Sequence, residues 1–170
     1  MPDAATCSGG TSATNSVQGD NPSDDSPDSP DSAPLLIGNA TARHRVLIVD
    51  DEEATRLLLA RYLTRDLGVE AQLAGTSQQA MRFADNYAYD TILLDLLMPG
   101  IGGYQILTEL RNSTPNMSTP VVIVSVIADR AMQERCRNAG ANAYLVKPVE
   151  RSVLSLTVKQ VIEGRKRLRA

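Results

Sequence analysis

Residues 46–54 read Val-Leu-Ile-Val-Asp-Asp-Glu-Glu-Ala, four apolar residues running straight into four acids. No polar residue interrupts the apolar ones, so the stretch is not a half-exposed strand. A continuous Val/Ile/Leu run of this length suits a strand of a parallel sheet covered on both faces. Similar runs follow at 91–94 (TILL), 121–124 (VVIV) and 143–146 (AYLV), and a weaker one at 69–74 (VEAQLA) reads as an edge strand. Helical periodicity fills the gaps. Between Glu53 and Leu67 the apolar stripe falls at 59, 63 and 67, with 58 and 62 beside it and Gly68 as a stop. Thr76 to Tyr87 places Ala80, Phe83, Ala84 and Tyr87 on one stripe, and Gly103 to Asn112 gives 103, 106, 107 and 110. Asp129 is suited to cap a helix to Ala139, with Met132, Cys136 and Ala139 facing inward and Gly140 ending it. A last helix is predicted from about 149 to 167. Strand and helix thus alternate five times, which means an open parallel sheet with helices on both faces and right-handed crossovers.

The 170 residues suffice for one domain with a core, and 42% hydrophobic with 22% charged residues is ordinary for a globular protein. No apolar run approaches a membrane span, and the N-terminus lacks the basic and apolar regions of a secretion signal, so no membrane association and a cytoplasmic location are expected. Cys7 and Cys136 have no metal or disulfide spacing and read as free thiols, Cys136 as a small core residue. The net charge of −3 hides a split: residues 1–42 carry six Asp and no Lys or Arg, leaving the remainder at +3. That first segment, rich in Ser, Asp and Pro and containing DDSPDSPDSAP at 24–34, cannot bury enough apolar surface to offset its ordering entropy. The expected organisation is a disordered acidic tail over 1–42 and one folded domain over 43–170. Leu35-Leu36-Ile37 is the apolar patch within the tail. A charge of +3 on the body is too weak to suggest nucleic-acid binding, and Arg165, Lys166, Arg167 and Arg169 suit a helix C-terminus.

In open parallel sheets ligands bind beyond the carboxyl ends of the strands. Asp50 and Asp51 follow the first strand, Asp95 the third, Ser125 the fourth and Lys147 the fifth. Each inner strand therefore delivers a polar group to one rim. Three converging carboxylates would raise one another's pKa, and a hard divalent cation such as Mg²⁺ removes that conflict. Oxygen-ligated Mg²⁺ beside a Lys and a hydroxyl is a site for a phosphoryl group, and a carboxylate can itself be the nucleophile.

The motifs VDDE at 49–52, LLDLLMPGIGG at 93–103, VVIVS at 121–125 and YLVKP at 144–148, in this order and spacing, resemble the receiver domain of a two-component response regulator. The resemblance covers about residues 45–165 and is closest to stand-alone, chemotaxis-regulator-like receivers. It implies a flavodoxin-like, doubly wound (βα)5 parallel sheet of strand order 2-1-3-4-5. It also implies that Asp95 is the phosphoacceptor, and that Asp51 and Asp95, with Asp50 and the backbone carbonyl of Leu97, hold Mg²⁺. Lys147 would pair with Asp95 and then with the phosphoryl oxygens. Ser125 and Tyr144 would act as switch residues, and Lys147-Pro148 would be a cis peptide. Phosphorylation would shift a two-state equilibrium and reshape the face built from the fourth helix, fifth strand and fifth helix, where a downstream protein docks.

Two positions depart from the family pattern. Gly102 stands where Asp is common, and Val126 stands where a small residue usually follows the hydroxyl residue. Val126 is expected to narrow donor access and slow phosphoryl exchange. His44, the chain's one histidine, precedes the first strand and reads as a surface residue, so the donor would be a sensor histidine kinase or a histidine phosphotransfer protein. Nothing follows the last predicted helix, so signalling is expected to run through docking unless the chain is part of a longer regulator. The sequence leaves two alternatives: an aspartyl-nucleophile phosphatase or phosphotransferase on a related fold, and an unphosphorylated pseudo-receiver. The adjacent acids Asp50-Asp51, rather than a D-x-D pair, and the intact set of rim residues weigh against them.

Overall fold

A computed structural model describes residues 35–38, 44–112 and 115–169, with side chains as far as Arg165. Among them are six strands: β1 (Leu36–Ile37), β2 (Arg45–Val49), β3 (Glu70–Ala74), β4 (Thr91–Leu94), β5 (Val121–Ser125) and β6 (Ala143–Val146). The helices are α1 (Glu53–Leu67), α2 (Ser77–Asn86), α3 (Gly103–Asn112), α4 (Arg130–Asn138) and α5 (Arg151–Arg169). The sheet order is β1-β3-β2-β4-β5-β6. The last five strands pair in parallel, which is the 2-1-3-4-5 order expected from the sequence, and the fold is flavodoxin-like.

One strand was not foreseen. The apolar patch at 35–37 forms β1, which lies antiparallel on β3 with Leu36 opposite Gln72 and Ile37 opposite Ala71. The run at 69–74, read as an edge strand, is therefore covered on its outer side. The rest of the acidic segment over 1–42, including Cys7, lies outside the described residues.

Side-chain alternation along the buried strands divides the core. Leu47 and Val49 join Phe83, Leu94, Ile106, Leu107, Leu110 and Cys136 on the face covered by α2, α3 and α4. Val46 and Ile48 join Leu59, Leu63, Val122, Leu154, Val158 and Ile162 on the face covered by α1 and α5. Such double coverage is why the strands carry apolar residues on both sides. The predicted stripe of α3 is buried as expected, and in α2 Ala80, Phe83 and Ala84 are buried while Tyr87 lies exposed beyond the helix end. The Asp129 carboxylate accepts from the Met132 N–H at 2.9 Å, the anticipated cap of α4. Gly68 ends α1 at φ 60°, its N–H donating to the Thr64 carbonyl.

Two polar latches escaped the sequence reading. Asn116 is fully buried in the segment between α3 and β5; its amide donates to the carbonyls of Ala84 and Tyr87, and its Oδ1 accepts from the Tyr89 N–H and the Thr119 hydroxyl. Arg111 reaches from α3 to the carbonyls of Gly140 and Thr119. Both satisfy backbone groups that burial would otherwise strand.

On the opposite face Arg151 of α5 clasps Asp66 of α1 through Nε, at 3.0 and 3.1 Å, and through Nη2; the Ser155 hydroxyl donates to the same carboxylate at 2.7 Å. The Arg151 and Ser155 hydrogen bonds hold the Asp66 carboxyl down at about 2. A depressed carboxylate pKa adds stability above the ordinary value near 3.8, and that stability is lost as pH falls through about 2. Asp66→Asn is therefore expected to lower Tm slightly at neutral pH and low salt and to converge on the wild type as pH falls below about 2. Thermal melts across pH check this; a difference that does not shrink as pH falls through about 2 would assign the effect to something other than the carboxylate charge.

Candidate functional site

All the charged groups of the carboxyl rim converge. Asp50 follows β2 and is 1% exposed, Asp95 follows β4 at 5%, and Ser125 ends β5 fully buried. Asp51 is exposed at the mouth. Carboxylate oxygens from Asp50, Asp51 and Asp95 lie within 4.8 Å of one another. The Lys147 ammonium, delivered by the end of β6, donates to Asp50 Oδ2 at 2.7 Å and to Asp95 Oδ2 at 2.6 Å. The resemblance pairs Lys147 with Asp95; its equal engagement with Asp50 is an addition.

The backbone aims these groups. The Asp50 N–H donates to the Ala74 carbonyl and the Asp95 N–H to the Val49 carbonyl, extending the ladders one residue past the strands. Each buried carboxylate folds back on its own loop: Asp50 Oδ1 accepts from the Glu52 N–H at 2.9 Å, and Asp95 Oδ1 from the Leu97 N–H at 3.1 Å. The Leu97 side chain points outward, 52% exposed. Lys147-Pro148 is cis, and the Lys147 N–H donates to the Ser125 carbonyl at 2.9 Å, tying β6 to β5 at the rim. The Tyr144 hydroxyl donates to the Ile127 carbonyl at 2.7 Å, so its ring lies over the loop that follows Ser125.

Electrostatics favour a cation. Burial pushes the Asp50 carboxyl upward, against the hydrogen bonds from Lys147 and the Glu52 N–H that pull it down. Burial also disfavours the Lys147 charge, but hydrogen bonds to Asp50 and Asp95 outweigh it and the ammonium titrates above its ordinary range. Lys147 is thus protonated, and one ammonium faces three carboxylates. Two negative charges are left over, which one divalent cation would neutralise, and hard oxygen donors with an exposed mouth suit Mg²⁺. Asp50, Asp51, Asp95, Ser125, Tyr144 and Lys147 are all brought to this rim. His44 is not: it sits half-buried at the opposite end of β2, with Nδ1 3.2 Å from Asp90.

Two residues at the site were missed as site residues. Arg56 donates from α1 to the Asp50 carbonyl at 2.6 Å; in the sequence it is one of several polar residues of an amphipathic helix. Gly103 was read only as the start of α3. Its backbone passes so close to β4 that an added Cβ would lie 1.9 Å from the Asp95 carbonyl oxygen. Gly102, by contrast, meets nothing nearer than 3.8 Å, and its carbonyl accepts from Gln105 and Ile106 to open the helix.

A crevice of three acids and a lysine at the carboxyl rim of a 2-1-3-4-5 parallel sheet could hold a divalent cation and a phosphoryl group, and comparison with known proteins points to a class of signalling module that binds both. The response regulator receiver domain family matches residues 46–159, and the chain belongs to it. Receiver domains are signalling modules of two-component systems, receive phosphoryl groups from histidine kinases or phosphotransfer proteins, and bind Mg²⁺ in the acidic cluster. The transcriptional regulatory protein SrrA of Staphylococcus aureus is 34% identical over 119 residues, 70% of this chain and 48% of that protein. The chain thus spans about half the length of the curated relatives it matches. A CheY-like receiver domain protein from Methanospirillum hungatei superimposes with TM-score 0.68 at 26% identity, covering 73% of this chain and 97% of that one. A receiver domain from Clostridium thermocellum gives 0.67 at 30% identity, covering 74% and 98%. The receiver domain of the Pseudomonas aeruginosa sensor kinase PA1611, solved with magnesium in its active-site cleft, gives 0.64 at 29%, covering 71% and 98%. Among the described residues no helix is long and apolar enough to cross a membrane.

Proposed function

We propose that Asp95 is the phosphoacceptor of this receiver and that the chain works in the cytoplasm as a phosphorylation-switched docking module. The observation that carries the assignment is the Lys147 ammonium held between Asp50 and Asp95, with Asp95 the buried carboxylate nearest the hydroxyl strand β5. An Asp95 carboxylate oxygen attacks the phosphorus of a phosphohistidine donor. The donor's N–P bond breaks, its electron pair stays on the imidazole, and an acyl phosphate forms. When bound, Mg²⁺ supplies the charge that neutralises the phosphoryl oxygens. Asp50, Asp51, Asp95 and the Leu97 backbone carbonyl would hold it. Lys147 moves its hydrogen bond from the Asp95 carboxylate to a phosphoryl oxygen, and the Ser125 hydroxyl donates to another. Drawing Ser125 inward pulls the loop that ends at the Ile127 carbonyl, which is bonded to Tyr144. Through that bond, charge at Asp95 is read on the α4-β6-α5 face, where a protein partner docks. Hydrolysis of the acyl phosphate at the same site resets the switch.

Tyr62, Leu58, Thr55, Val126, Pro148 and Val149 line a groove of 350 Å³ that opens onto Lys147. An apolar groove meeting Lys147 beside the acceptor Asp95 supports a donor that docks by a helix and presents its histidine over Asp95. The test is incubation with Mg²⁺ and acetyl phosphate or a phosphorylated kinase, followed by intact mass. Gain of one base-labile phosphoryl group supports the reading; an unmodified protein with several competent donors would favour a pseudo-receiver, and steady turnover of phosphate esters an enzyme. Val126 stands 57% exposed at the groove. Val126→Ala is expected to speed phosphoryl uptake and loss several-fold, read by the same assay over time, and unchanged rates would remove its proposed gating role.

A further inference from the structure

The six strands end differently at their two edges. At β6 the edge residues 143–146 are half-buried or exposed. At the other side, β3 would be the outermost strand of the five-stranded parallel sheet, and with Leu35–Gly38 in place its Ala71, Gln72, Leu73 and Ala74 are all buried. Free edge strands are usually blunted by lysine, proline, a bulge or strong twist. β3 has neither Lys nor Pro, and its one charge, Glu70, is engaged by Arg45 at 3.0 Å. It is built as a strand that is covered.

Its cover is Leu35–Gly38. The Leu73 N–H, which faces away from β2, donates to the Leu35 carbonyl at 3.2 Å. Ile37 packs onto the core between the sheet and α1. Gly38 then turns with φ +124°, where a side chain would come within 2.6 Å of the Val69 carbonyl and 3.2 Å of the Thr64 methyl. An apolar knob, a backbone ladder and a turn that only glycine can make are the parts of a strand-docking site: main-chain bonds give affinity and one side-chain pocket gives selectivity. Every contact named runs from 35–38 to α1, β3 or the turn between them, and to no other part of the N-terminal segment.

We propose that the β3 edge is a β-augmentation site selective for an extended segment with Ile directly before Gly, filled here by the chain's own residues 35–38 and able to take the same segment from a second copy. Six residues, 39–44, join this segment to β2. They set the local concentration that favours the intramolecular occupant. The site lies on the outer edge of β3, with β2 and β4, which carry Asp50 and Asp95, on the strand's other side.

The experiment uses the full chain and reads amide hydrogen exchange residue by residue. In Ile37→Asp, which loses the knob, and independently in Gly38→Val, which cannot make the turn, the Leu73 amide is expected to exchange about ten- to a hundredfold faster, with the Ile48 amide in β2 unchanged. A synthetic peptide of residues 33–39 stands in for the second copy. At millimolar concentration it should restore Leu73 protection in Ile37→Asp, and the same peptide carrying Asp in place of Ile should not. Three results would overturn the proposal: unchanged Leu73 protection in both variants, loss of Ile48 protection together with Leu73, or failure of saturating peptide to slow Leu73.

Discussion

Asp95→Asn is expected to take up no phosphoryl group from acetyl phosphate or a phosphorylated kinase in the presence of Mg²⁺. The substitution keeps the shape of the side chain, so the Leu97 N–H still finds an oxygen, but an amide is no nucleophile toward phosphorus. Asp50→Asn should behave differently. It removes one of the three convergent carboxylates and one of Lys147's two partners, but leaves the attacking group. Uptake then survives and demands more Mg²⁺, because each carboxylate lost weakens cation affinity. Intact mass and a Mg²⁺ titration separate the two roles. If Asp95→Asn were phosphorylated as fully as the wild type, the acceptor would have to be another group, with Asp50 and Asp51 the first to map.

Gly103→Ala is expected to cost about 3 kcal/mol or more and to lower Tm by roughly 10 °C. The added methyl would sit 1.9 Å from the Asp95 carbonyl oxygen and 2.8 Å from the Leu96 Cα. Neither neighbour is a flexible side-chain tip. Either α3 moves off the sheet, stretching the 3.1 Å bond from the Gly103 N–H to the Leu96 carbonyl, or the Asp95 loop moves with it. Phosphoryl uptake should therefore fall alongside stability. Gly102→Ala is the internal control: its methyl meets nothing closer than 3.8 Å, so the change should stay within about 0.5–1 kcal/mol. Thermal melts of the pair decide it. Equal effects at 102 and 103 would mean that α3 tolerates the methyl by a small shift and that the close approach does not position Asp95.

The two predictions differ in how they could be found. Asp95 is legible in the sequence because a charge directly after a buried apolar run has few reasons to be there, and because other inner strands repeat the pattern. Gly103 is legible only as the opening residue of a helix. Nothing in GIGGYQ tells that the helix axis passes within contact of the residue after β4. The same holds for Arg56, whose guanidinium caps the Asp50 carbonyl, and for Asn116, which holds four partners from residues scattered between Ala84 and Thr119.

By itself the sequence determined the parallel sheet, the inner strands and their order in the chain, the caps at Asp129 and Gly68, and the rim set Asp50, Asp51, Asp95, Ser125 and Lys147. These follow from local rules, because burial on both faces forces unbroken apolar runs and the ends of such runs mark where polar groups must emerge. Tertiary structure alone decided that Lys147 is shared between two carboxylates, that Tyr144 bonds the Ile127 carbonyl, that Gly103 must lack a side chain, and that Leu35–Gly38 adds a sixth strand. Each of these depends on distances between segments far apart in the chain, and such distances are fixed by packing, which no local pattern of residues encodes.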